Sequence, residues 1–137
     1  MTQQPSLSLP GAGGRAPYVL VAEDISTNRI VAEGYLRKLG CKALLVENGA
    51  LAVEAVKNET FDLVLMDMAM PVMDGPEATR QIRALGEGSG TVPIIALTAF
   101  ARTEELAPMM AAGANGSVAK PIVLQDLYNA MAQALGQ

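Results

Sequence analysis

Histidine and tryptophan are missing from the 137 residues, and cysteine occurs once, at Cys41. Without histidine there is no imidazole for a metal, no histidine general base and no phosphohistidine carried by the chain itself. One cysteine excludes an internal disulfide. No apolar run approaches the ~20 residues needed to span a bilayer, and the first 17 residues lack the basic start and apolar stretch of a secretory signal. A cytoplasmic location without membrane contact is the expectation. Positive charge is scarce as well: 10 basic against 14 acidic residues give a net charge of −4, which offers no footprint for a nucleic-acid backbone. Direct nucleic-acid binding is not expected.

What is present suffices for one ordinary core, since half the residues are apolar. Residues 1–16, rich in Gln, Ser, Gly and Pro, read as a flexible leader or linker ahead of a domain over 17–137. Within that domain, short apolar runs at Tyr18 to Ala22, Ala43 to Val46, Leu63 to Met66, Ile94 to Leu97 and Ser117 to Ala119 alternate with helical patterns. Ala32, Leu36 and Leu39 follow a Ser26 cap, with Gly40 as the stop; Ala52, Ala55 and Val56 follow an Asn48 cap. Pro76 opens a helix carrying Ala78, Ile82 and Leu85, and Leu124, Leu127, Tyr128, Met131 and Leu135 line the last one. Such alternation predicts an α/β fold, a doubly wound, five-stranded parallel sheet in the flavodoxin-like order 2-1-3-4-5 with helices on both faces. Its crevice lies at the carboxyl ends of the first and third strands.

Glu23 and Asp24 follow the first run, Asp67 the third, Thr98 the fourth and Lys120 the fifth, so all five fall on one sheet edge. A lone acidic residue after a strand is ordinarily a solvated turn, a lone threonine a strand-end hydroxyl, and a lone lysine a surface charge. Three carboxylates, a hydroxyl and an ammonium converging from four strand ends suit chemistry better. The carboxylates repel one another unless a cation is present, and with only oxygen donors nearby Mg²⁺ fits better than zinc. Mg²⁺, a lysine, a hydroxyl and a free carboxylate together suit a phosphoryl group, with Asp67 as nucleophile.

The stretches Val19-Leu-Val-Ala-Glu23-Asp24, Leu65-Met-Asp67-Met-Ala-Met-Pro71-Val-Met-Asp74-Gly75, Ala96-Leu-Thr98-Ala99 and Ala119-Lys120-Pro121 resemble receiver domains of two-component response regulators. Asn28-Arg29 and Ala78-Thr-Arg80-Gln-Ile-Arg83 resemble those attached to hybrid histidine kinases in particular. The resemblance covers about Pro17 to Leu135 and implies a phosphorelay role. It makes Asp67 the phosphoacceptor, Asp24 a direct Mg²⁺ ligand, Glu23 a ligand through water and the Ala69 carbonyl a backbone ligand, while Thr98 and Lys120 hold the phosphoryl oxygens. It also implies a cis bond at Lys120-Pro121. The implied partner is a histidine kinase or a histidine phosphotransfer domain, and a weak homodimer is compatible with it. Self-phosphorylation and autodephosphorylation, not turnover of a metabolite, are the reactions implied.

Several positions depart from that pattern. Ser117 stands where most receivers carry an aromatic residue whose rotation reports phosphorylation, so the usual readout does not carry over. Pro108 falls inside the expected fourth helix, which Thr103 would cap, and predicts a kinked, late-starting or loosely held helix. Phe100 is bulky for a neighbour of the site, and Ala69 offers no side chain to orient water, which favours a long-lived acyl phosphate. The methionines at 66, 68, 70 and 73 are expected to fill irregular gaps rather than bind a soft metal. Other classes fit less well. A haloacid-dehalogenase-type phosphatase needs a second aspartate where Ala69 stands, and a nucleotide-binding module needs a glycine-rich loop where the acidic pair stands. An interaction domain that has lost phosphorylation would not require the five polar residues.

Overall fold

Five short and mostly apolar runs form strands β1 (Tyr18–Ala22), β2 (Lys42–Val46), β3 (Leu63–Asp67), β4 (Ile94–Thr98) and β5 (Gly116–Ala119). Apolarity without alternation is what a parallel sheet covered on both faces requires. The structure, a computed structural model, describes residues 16–99 and 103–136. The expected leader, apart from Ala16, lies outside those residues, as do Phe100 and the capping side chain assigned to Thr103. All pairings are parallel and the order is β2-β1-β3-β4-β5, as the alternation implies. Asp67 and Thr98 are the last residues of their strands, where the apolar runs alone had placed them just beyond.

Helices α1 (Ser26–Lys38), α2 (Gly49–Asn58), α3 (Gly75–Arg83), α4 (Thr103–Ala112) and α5 (Leu124–Ala134) make the crossovers. Successive strand residues face opposite layers. Val19, Val21, Leu63, Leu65, Ile95 and Leu97 pack with Leu36 of α1 and Leu127 and Met131 of α5. Leu20, Val64, Met66, Ile94 and Ala96 pack with Val56 of α2, Ile82 of α3 and Met109 of α4. Met66 is fully buried, and Met68, Met70 and Met73 pack on the second of these cores, filling space beneath the loop after β3 as expected.

Local chemistry sets the helix ends. Asn48 caps α2 by accepting from Leu51 N at 2.8 Å, and Asp74 caps α3 by accepting from Glu77 N at 3.0 Å. The cap expected at Ser26 is not there: extended Ile25 occupies the cap position, Ser26 is the first helical residue, and no side chain caps the end. Leu85 lies just beyond α3, in the turn that follows it. Pro108 lies inside α4, and the helix runs on past it to Ala112. Among the described residues, no helix is long and apolar enough to cross a membrane.

One side chain ties the amino edge of the sheet together. Half-buried Arg83, at the end of α3, donates to Gly113 O from Nε at 3.0 Å and from Nη2 at 2.8 Å. It also donates to Gly90 O at 2.9 Å, Val92 O at 2.7 Å and Asn115 Oδ1 at 2.9 Å. Asn115 Oδ1 in turn accepts from Ile94 N at 2.8 Å, so α3, the start of β4 and the turn after α4 share one guanidinium.

Candidate functional site

The carboxyl ends of β1 and β3 deliver Glu23, Asp24 and Asp67 to one place, with a carboxylate oxygen of each lying within 4.8 Å of the others. Glu23 and Asp67 are buried and Asp24 is exposed. Lys120 reaches in from the end of β5, with Nζ 3.1 Å from Asp67 Oδ1 and 3.4 Å from Glu23 Oε1. Thr98 ends β4 beside them, buried, and its carbonyl accepts from Lys120 N at 2.7 Å, which fixes the β4 and β5 ends together. The five polar residues expected from the sequence therefore converge. Ala69 lies exposed at the mouth, and the Lys120-Pro121 bond is cis.

Backbone detail holds these ends in place. Gly75 N donates to Met68 O at 2.9 Å, and a Cβ at Gly75 would collide with the Asp67 carbonyl and lie 2.9 Å from Met68 Cα, so only glycine lets α3 start this close to β3. Between them, Val72 has φ of 70° and 83% exposure, and Met73 N donates to Pro71 O at 2.7 Å across it, a strained γ-turn for a β-branched residue. Arg29 Nη1 donates to Glu23 O at 2.7 Å, and Ile25 N to Glu23 Oε2 at 3.5 Å, so the entry to α1 grips Glu23.

The electrostatics are those of a site short of positive charge. Burial, then hydrogen bonding to Asp67 and its charge, push Glu23 from 4.5 up to about 7, and Lys120 offsets this only in part. Burial pulls the Lys120 ammonium down, but its bond to Asp67 and the charges of Asp67 and Glu23 win, leaving it above 10.5. The site thus favours taking up positive charge, as a proton or as a cation. Three carboxylates offering only oxygen, against one ammonium, fit a hard divalent ion such as Mg²⁺.

These groups open onto a cavity of about 500 Å³ lined by Asp24, Ile25, Asp67, Thr98 and Lys120, and by Glu104, Glu105 and Pro108 of α4. Glu104 and Glu105 carried no sequence signal for the cavity, because which face of that helix meets it depends on Met109 packing into the core. Half-buried Ser117 lines a separate cavity of about 270 Å³ with Ile95, Ala130 and Ala134, the space left between β4, β5 and α5 by a side chain this small.

The chain is similar to known proteins over this whole region. It is 40% identical over 120 residues to the sensor protein GacS of Pseudomonas syringae pv. syringae, covering 86% of this chain and 13% of the relative. The chain therefore spans about an eighth of such sensor kinases. The receiver domain of a sensor histidine kinase from Pseudomonas aeruginosa PAO1, crystallised with magnesium coordinated in its active-site cleft, is 38% identical with a TM-score of 0.82, over 89% of this chain and 99% of that one. The receiver domain of Ssk1 from Saccharomyces cerevisiae, co-crystallised with the histidine phosphotransfer protein Ypd1, is 29% identical with a TM-score of 0.78, over 87% of this chain and 88% of that one. The family profile for the response regulator receiver domain matches residues 19–132, and the chain belongs to that family, whose signalling role is in two-component and phosphorelay systems.

Proposed function

We propose that Asp67 accepts a phosphoryl group from a phosphohistidine on a histidine kinase or histidine phosphotransfer domain, with Mg²⁺ held by Glu23, Asp24, Asp67 and the Ala69 carbonyl. The observation that carries this reading is the meeting of three carboxylates within 4.8 Å, with Lys120 3.1 Å from Asp67 Oδ1. Bound there, Mg²⁺ supplies neutralisation for charge developing on the phosphoryl oxygens. The chain's own residues do the rest. An Asp67 carboxylate oxygen attacks phosphorus, the O–P bond forms as the P–N bond breaks, and the imidazole leaves with its electron pair. Lys120 and Thr98 receive the phosphoryl oxygens, a role supported by Lys120 lying against Asp67 and by both residues lining the cavity.

Two comparisons support the finer parts of this reading: magnesium in the Pseudomonas receiver, and Ypd1 bound to the yeast one. Ile25, which lines the cavity, and Ile30 and Val31 of α1 also stand exposed, apolar side chains suited to a protein partner. The test is labelling by acetyl phosphate in Mg²⁺ beside an Asp67→Asn variant. Labelling of the parent and not of the variant is expected; equal labelling of both refutes the assignment.

A further inference from the structure

Glu105 has no role in the reading above, yet it lines the same cavity as Asp67, Thr98 and Lys120. Its Oε2 is sealed from solvent and has no hydrogen-bond partner. Acidic residues in a first helical turn ordinarily serve the helix dipole, and exposed Glu104 does so without penalty. A sealed, unpartnered carboxylate oxygen is different, because a buried polar atom without a hydrogen bond is costly. Among the described residues, compensation is not available nearby. Lys120 is already held by Asp67 and Glu23, and Glu105 lies outside the group of carboxylates close enough to share an ion.

The helix that carries it is built to yield at that end. Pro108 has no N–H, so the Glu104 carbonyl, four residues earlier, lacks its helical donor, and the turn bearing Glu105 is tied to the rest of α4 by one bond fewer. The other end is fastened. Met109 is fully buried and accepts from Thr79 Oγ1 at 3.8 Å, Arg83 holds Gly113 O, and α4 packs principally against α3.

We propose that Glu105 is the positioning residue that couples Asp67 to α4: a phosphoryl group arriving in the cavity repels the Glu105 carboxylate and drives the first turn of α4 out of the cavity wall. The inference rests on Asp67 as phosphoacceptor. It assigns the coupling to charge, which the small side chain at Ser117 does not obstruct.

The test compares the parent with Glu105→Gln, which keeps the shape and removes the charge, using beryllofluoride in Mg²⁺ as the phosphoryl mimic. Beryllofluoride is expected to bind Glu105→Gln about tenfold more tightly, the order of a unit-charge repulsion across such a cavity. Amide exchange supplies the readout that a merely structural role would not move. In the parent, beryllofluoride speeds exchange at Ala107, beyond the first-turn amides that a helix leaves unpaired, and leaves buried Ala112 unchanged; in Glu105→Gln the Ala107 amide no longer responds. Equal affinity with an equal exchange response in both proteins overturns the role of Glu105 alone. Failure of the parent to bind beryllofluoride any better than Asp67→Asn overturns the acceptor reading and this inference with it.

Discussion

Replacing Glu23 by glutamine isolates the cost of the acidic site. Glu23 is 1% exposed, and its carboxyl titrates at about 7 against an ordinary 4.5. The folded protein therefore binds this proton more tightly than the unfolded chain does. The stabilisation from that proton is fully present below about 4.5 and is lost as the pH rises through about 7. A rise of this size corresponds to about 3 kcal/mol at pH values well above both. Glutamine keeps the shape and cannot ionise, so the difference between the two proteins reports Glu23 together with its effect on Asp67 and Lys120, and cancels titrations elsewhere. At 1 kcal/mol for a few degrees in a domain of this size, the variant should melt about 10 °C higher than the parent at pH 8.5 in EDTA, and at nearly the same temperature at pH 4.5. Circular dichroism melts across that range are the assay. Mg²⁺ should raise the parent's melting temperature at pH 8.5 more than the variant's, because the cation takes the place of the proton. Parallel pH profiles for the two proteins would refute the reasoning, since they would mean that burial beside Asp67 leaves Glu23 unperturbed.

Three further outcomes are expected. Arg83→Ala removes five hydrogen bonds from one half-buried cation and should lower stability by about 2–4 kcal/mol in urea unfolding, with Arg83→Lys recovering less than half; a loss under about 1 kcal/mol contradicts the network. Val72→Asn should raise stability by about 1 kcal/mol in the same assay, because asparagine tolerates the φ of 70° that a β-branched residue resists. Acetyl-phosphate-labelled protein in Mg²⁺ should hold its label for minutes or longer, and Ala69→Asn should shorten that lifetime by giving the mouth of the site a group to orient water; decay within seconds in the parent sinks that account.

The parallel sheet and the acidic crevice were legible because each is written locally. Every site residue closes or follows an apolar run, and a run of that kind has one direction and one carboxyl end. Asn48 was legible as a cap against the hairpin reading of Asn48-Gly49 because apolar residues follow at helical spacing. Ser26 was misplaced by one residue, since serine before a helical pattern signals a cap whether or not Ile25 takes the extended conformation instead. The structural roles of Arg83 and Glu105 could not be read. The partners of Arg83 are mostly backbone carbonyls 7 to 30 residues away, which leave no mark on composition. The orientation of Glu105 is set by tertiary packing of its helix.

The Arg83 network also divides the domain in two. One cation grips the end of α3, the start of β4 and the turn behind α4, so in the coupling proposed above the amino edge is a fixed base and α4 swings like a lever hinged at its far end. A protein that docks on the base alone is blind to the state of Asp67. One that reads the signal has to touch the free end of the lever.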